Sequence, residues 1–149
     1  MKMIDIPPAW LAAALALAWL QTHMVPIELF APWPIWNLVG GGLVALGLGL
    51  MVLALVEFKR ARTTPIPHRQ PAALIDRGIF ALTRNPIYLG DALILAGLSL
   101  RWQSILGLLL VPVFIALIDR RFIRAEEARL EAGFGSAFAT YASRVRRWL

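Results

Sequence analysis

Ile35-Trp36-Asn37-Leu38-Val39-Gly40-Gly41-Gly42-Leu43-Val44-Ala45-Leu46-Gly47-Leu48-Gly49-Leu50-Met51-Val52-Leu53-Ala54-Leu55-Val56 is a run of 22 residues without one charged side chain. A helix of that length rises about 33 Å, enough for a hydrocarbon core of ~30 Å. Gly40, Gly41, Gly42, Gly47 and Gly49 would weaken a helix in water, whereas in lipid they let helices approach closely. Trp33 and Trp36 stand at its start, where interfacial anchors gather. The segment reads as a membrane span.

Working outward, three further apolar runs cover about 8–25, 86–100 and 104–118. The first could be a signal peptide with Lys2 as its basic start, but no small-residue cleavage site follows Leu20. It is therefore read as a retained span. The last two are short for spans. Arg101-Trp102-Gln103 between them permits only a tight antiparallel hairpin. Between the second and third runs lies a polar loop, 57–85, whose Pro65, Pro67 and Pro71 oppose a continuous helix.

Beyond Ile118 the chain turns charged while keeping a helical pattern to Gly133, with Pro112 as a candidate kink. A terminal helix, Ser136 to Trp148, carries Phe138, Tyr141 and Val145 on one stripe, to lie on the membrane or fold back over the protein. The expected fold is all-α. It is one polytopic membrane domain over 1–149 with about four transmembrane helices, the last two a short hairpin, and C-terminal helices over 119–149.

Composition agrees. Hydrophobic residues make up 59% of the 149 residues and charged residues 16%, and a soluble chain this short lacks the interior to hide that apolar surface. Of 15 Lys and Arg, Lys2 precedes the first span, six lie in the polar loop and seven follow the fourth span, leaving Arg101 alone on the far side. Both termini and the loop are thus expected in the cytoplasm. The formal charge of +6 belongs to those loops rather than to a nucleic-acid surface. Cysteine is absent and His23 and His68 stand far apart, so thiol chemistry and a metal centre are not expected. No strand–turn–helix carries a glycine-rich turn, which sets aside a soluble dinucleotide-type fold.

Two clusters could carry chemistry. Arg84-Asn85-Pro86-Ile87-Tyr88-Leu89-Gly90-Asp91 opens the third span, with Asn85 a good N-cap and Pro86 suited to the first helical position. That accounts for neither Arg84 nor the shared face of Tyr88 and Asp91. A helix start beside an arginine also attracts anions. The second cluster is Glu126-Glu127. A charge run is usually a solvated face, but adjacent acids point about 100° apart, so one can be structural while the other enters a pocket. Placed together, the two clusters would suit a zwitterion.

The stretch Leu74-Ile75-Asp76-Arg77-Gly78-Ile79-Phe80-Ala81-Leu82-Thr83-Arg84-Asn85-Pro86-Ile87-Tyr88-Leu89-Gly90 resembles the core motif of the small membrane methyltransferases, which include phospholipid N-methyltransferases and isoprenylcysteine carboxyl methyltransferases. Glu126-Glu127, Phe134-Gly135, Tyr141 and Val145-Arg146-Arg147-Trp148 are similar to later family elements in the same order. The likeness runs from about Thr63 to the C-terminus. Thr63, Thr64 and His68 resemble the approach to the core motif, although a proline-rich turn explains them equally.

The resemblance implies S-adenosylmethionine as methyl donor, bound at the cytoplasmic span ends, and a lipid or lipophilic acceptor entering from the bilayer of a bacterial inner membrane. It implies cofactor contacts from Gly78, Arg84, Asn85, Pro86, Tyr88, Leu89, Gly90, Glu126 and Glu127. Glu127 and Arg84 are the expected catalytic residues, and Asp91 and Tyr141 the expected substrate contacts. Glu127, Asp91 and Tyr88 are the candidate bases for an amine acceptor. Isoprenylcysteine enzymes typically carry His where Asn85 stands, which favours the phospholipid type. Gly47-Leu48-Gly49 could match a cofactor Gly-x-Gly, with helix packing the preferred reading. A nicotinamide-dependent membrane reductase of related fold and a non-catalytic membrane subunit are the alternatives. Oligomeric state is not legible.

Overall fold

The structure, a computed structural model, describes residues 6–27, 34–63 and 73–149. Lys2, Trp33, Thr64, Pro65, Pro67, His68, Arg69 and Pro71 lie outside them. The described residues form helices joined by turns and short irregular segments, with no strand among them. Helix α1 spans Pro7–Met24, α2 Pro34–Arg60, α3 Pro86–Arg101 and α4 Ile105–Ile118. Prolines occupy the first turns of α1 and α3, where a missing N–H breaks no hydrogen bond. Among the described residues, α2 is the helix long and apolar enough to cross a membrane.

Two sequence boundaries move. Glu57–Arg60, assigned to the polar loop, continues α2: Glu57 is buried and receives Arg60 at 2.9 Å and Arg77 at 3.4 Å. The terminal helix, α6, spans Ser136–Arg144 and stops short of Trp148, Val145 being extended. Beyond α6 the chain is held against the approach to α3, where Arg146 and Arg147 offer their carbonyls to residues 83–85.

Helix α3 is central, with α2 against one side and α1 and α4 against the other. Glycine sets the α2–α3 contact. A Cβ on Gly40 would stand 2.5 Å from the Gly97 carbonyl oxygen, and one on Gly47 2.6 Å from that of Gly90. Only bare backbones fit at these two crossings, so Gly47 and Gly90 serve helix packing. On the other side, Leu95, Phe114, Ile118, Phe122 and Ile123 form the buried core.

The chain leaves α4 without a break. Asp119–Ile123 is a π-helical turn and α5, Arg124–Phe134, follows directly. The wider turn buries Phe122 and Ile123 and resets which face of α5 meets α3, a shift typical of functional sites. Sequence reading anticipated the continuity, and Pro112 does lie inside α4, but the π turn was invisible to it. Gly135, at φ +49, ends α5 in the left-handed region. Helix α6 then folds back, and Phe138, Tyr141 and Val145 pack with Leu74, Leu130 and Phe134.

Candidate functional site

The start of α3 and the acidic pair of α5 meet. Tyr88 donates its hydroxyl proton to Glu126 Oε1 at 2.7 Å. Arg84 Nη1 sits 2.9 Å from Glu127 Oε1, with both side chains largely buried. The two acids diverge as their helical spacing requires: Glu126 lines a cavity and Glu127 does not.

Glu127 is clamped from two sides. Arg147 grips it through Nε at 3.1 Å and Nη2 at 2.5 Å, while its remaining Nη1 reaches Asp119 at 3.0 Å. Asp119 also accepts from Arg124 Nε at 2.9 Å. The chain Arg124–Asp119–Arg147–Glu127–Arg84 ties the π turn, the C-terminus, α5 and the start of α3 into one alternating network. The Glu127 hydrogen bonds hold the Arg147 guanidinium even more firmly protonated than usual. Bidentate pairs of this kind fix geometry. They leave Glu127 no access to a cavity.

Asn85 occupies the N-cap position but makes no side-chain cap bond. Its amide instead donates to the Arg147 carbonyl at 2.9 Å, a carbonyl that also accepts from Thr83 Oγ1 at 3.4 Å. The Arg84 N–H donates to Arg146 O at 3.1 Å. The extended tail therefore fastens the approach to α3. Tyr141 is committed similarly, donating to Phe80 O at 2.8 Å. Burial pushes its hydroxyl's ionisation well above the usual range.

The cavity, about 140 Å³, is walled by Pro7, Pro8, Met51, Phe58, Phe80 and Ile87, with Arg84, Asn85, Tyr88, Asp91 and Glu126 as its polar groups. Asp91 is 2% exposed and has no hydrogen-bond or ion-pair partner among the described residues. Buried Arg84 Nε also lacks a hydrogen-bond partner among the described residues. Buried polar groups left unmatched beside a cavity are unusual in native proteins, and a ligand is a common reason. One cation and two acids in an apolar wall suit a zwitterionic amino-acid group, which fits S-adenosylmethionine. The volume is below the ~300–1,000 Å³ of typical ligand pockets, so a whole donor requires the cavity to widen.

Of the sequence-assigned site residues, Arg84, Asn85, Pro86, Tyr88, Asp91 and Glu126 line this cavity. The others stand apart. Glu127 is held in the ionic clamp, Leu89 is outside the lining, Gly90 packs on Gly47, and Tyr141 supports the turn below. Gly78 has φ +57, and a Cβ there would come 2.7 Å from Glu57 Oε1. It is a turn residue packed on Glu57 rather than a cavity wall.

Sequence reading missed Arg147 and Asp119 as organisers and Phe58, Phe80, Pro7 and Pro8 as walls. For Arg147 a signal existed: it lies within the Val145-Arg146-Arg147-Trp148 element already singled out. The walls had none of their own, because an apolar side chain does not show in sequence which surface it will face.

A family model described as phospholipid methyltransferase matches residues 35–137. A Haemophilus influenzae protein, bearing the description "Uncharacterized protein", is 40% identical over 63 residues, which is 42% of this chain and 100% of that one. No solved structure matches the chain.

Proposed function

Since this chain belongs to the phospholipid methyltransferase family, we propose that it transfers a methyl group from S-adenosylmethionine to the amine of a membrane phospholipid. The observation that carries the reading is the meeting of Arg84, Tyr88, Asp91 and Glu126 around one cavity. In this reading α1 to α4 all span the membrane, with both termini and the charged end of the bundle on the cytoplasmic side. The short α3 and α4 begin and finish inside the headgroup layer, with Arg84 and Asp119 at its level.

S-adenosylmethionine, when bound, carries its methyl on a sulfonium that is a ready leaving group for an in-line displacement. The protein's part is to bind, align and keep water out. Arg84, with an unused buried Nε, pairs with the donor carboxylate. Glu126, steadied by the Tyr88 hydroxyl, takes the donor ammonium. The apolar walls leave the sulfonium poorly solvated, which favours loss of its charge.

The acceptor nitrogen must be free of its extra proton before its lone pair forms the N–C bond as the C–S bond breaks. Glu127 is engaged by two arginines and Tyr88 already donates to Glu126. That leaves Asp91, acidic, without an ion-pair partner among the described residues and on the cavity wall, as the proton acceptor. Glu127 is then a positioning residue that sets Arg84 in place.

The test is methyl transfer by the full chain in lipid nanodiscs, with isotope-labelled S-adenosylmethionine and phosphatidylethanolamine or a prenylated cysteine as acceptor. Label stable to mild base on the phospholipid headgroup is expected. Base-labile label on the prenylated cysteine alone would overturn the amine assignment. Absence of transfer to either, with NADPH rather than S-adenosylmethionine raising the melting temperature, would replace the enzyme class.

A further inference from the structure

A second concavity lies on the outer face of the α4–α5 junction, away from the cavity just described. It measures about 530 Å³ and is bounded by Pro112, Ile115 and Ala116 at one end, and by Asp119, Arg120, Arg124, Arg147 and Trp148 at the other. Pro112 and Ala116 from α4, Arg120 from the π turn and Arg124 from α5 all border it, so they form one stripe across the junction. The stripe changes from apolar to basic where α4 passes into the π turn. Its apolar half is exposed, as are nearby Leu109 at 62% and Val113 at 57%.

Charge marks the occupant. The ionic network and the groove together hold Arg84, Arg120, Arg124 and Arg147 against Asp119 and Glu127, four guanidinium groups to two carboxylates. Arg124 and Arg147 are engaged by those acids. Arg120 is exposed and has no ion-pair partner among the described residues. Trp148, half-buried beside it, is the side chain most at home between hydrocarbon and water. A ligand matching this surface has an acyl chain continuous with an anionic head.

We propose that this groove binds an acidic glycerophospholipid of the surrounding leaflet, its phosphate on Arg120 and its acyl chain over Pro112, Ile115 and Ala116. The site is separate from the methyl-transfer cavity and does not depend on that activity. It adjoins the network through Asp119 and Arg147, so the lipid would brace the clamp that positions Glu127 and Arg84.

The experiment titrates the purified full chain in detergent with short-chain phosphatidylglycerol brominated on its acyl chain, reading tryptophan fluorescence. Trp148→Phe isolates that residue's share of the quenching. Phosphatidylglycerol is expected to quench Trp148 at lower concentration than brominated phosphatidylcholine. Arg120→Gln should weaken the phosphatidylglycerol response about fivefold, the usual worth of one basic side chain at an anionic surface, and Arg120→Lys should restore it.

Equal quenching by the two lipids, or an unchanged response in Arg120→Gln, would overturn the proposal. So would displacement by millimolar inorganic phosphate, since the anion alone would then be the ligand. A calorimetric titration of Arg120→Gln with S-adenosylmethionine separates this from the methyl-transfer reading. Donor binding retained in detergent without added lipid, beside lost lipid preference, supports the groove as an independent site.

Discussion

The two ends of the bundle are held by different physics. At the neutral end, Ser104 caps α4 by accepting from the Gly107 N–H at 3.0 Å, and its own hydroxyl reaches Ala18 O at 3.1 Å and Gln21 Oε1 at 2.7 Å. Gln21 Oε1 also accepts from the Leu106 N–H at 3.3 Å, and Ser99 donates to Leu95 O at 2.6 Å. The Ser104 and Gln21 bonds join α1 to α4 there, and the Gly40–Gly97 crossing with a single cationic bond, Arg101 Nη1 to Asn37 O at 3.2 Å, joins α2 to α3. At the charged end, long side chains form an ionic network around a cavity; among the described residues, buried Arg84 Nε has no hydrogen-bond partner there, and Asp91, 2% exposed, lines the same cavity. Satisfied polarity makes a joint. Unsatisfied polarity beside space makes a site.

The division can be broken most severely at the glycine crossings. Gly97→Val would drive a side chain into the Gly40 carbonyl, and overpacking of that kind costs about 1–3 kcal/mol or more. A large fall in detergent melting temperature is expected, with loss of folded yield as the extreme. A neutral melting curve would mean that α2 and α3 are not locked there.

Next in size is Arg147→Gln. It strips Glu127 and Asp119 of a shared partner, but the arginine is 34% exposed, so solvent offsets part of the loss. The expected cost is about 1–2 kcal/mol in stability. Donor affinity should also weaken several-fold as Arg84 loses its fixed neighbour. If affinity holds while stability falls, the network is a joint like that of the neutral end and the distinction blurs.

Two smaller substitutions sharpen the contrast. Tyr141→Phe deletes the bond to Phe80 O and should cost about 1 kcal/mol. Ser104→Ala removes the α4 cap and should cost about 1 kcal/mol as well. Thermal melting reads both. Ser104→Ala should leave donor affinity unchanged, whereas Tyr141→Phe, lying under the approach to α3, should weaken it slightly.

Much of this was legible in the sequence, for identifiable reasons. Pro7, Pro8, Pro34 and Pro86 mark helix starts by a rule of covalent geometry, and Ser104 caps α4 as its residue type suggests. The apolar runs then set the helix lengths. The meeting of Tyr88 with Glu126 was anticipated because opposite chemistry on neighbouring elements suits one ligand.

What stayed hidden depends on contacts distant in the chain. Which of Glu126 and Glu127 faces the cavity is decided by the π turn at Asp119–Ile123, which has no local signature, and by Arg147, whose sequence element was noted but whose partner was not. Asn85 shows the same limit. Its residue type says cap, yet the tail carbonyl of Arg147 claims its amide. Gly78 and Gly90 stand inside the motif, but their glycine character answers to Glu57 and Gly47.

Isothermal calorimetry with S-adenosylmethionine on the folded full chain, alongside Glu126→Gln and Ser104→Ala, bears most directly on the claim that the charged end holds a zwitterion. Saturable binding is expected for the unaltered chain and for Ser104→Ala. Loss of a charge-assisted contact should weaken Glu126→Gln by roughly tenfold to a hundredfold. No heat from the folded chain, or equal affinity in Glu126→Gln, would contradict the account.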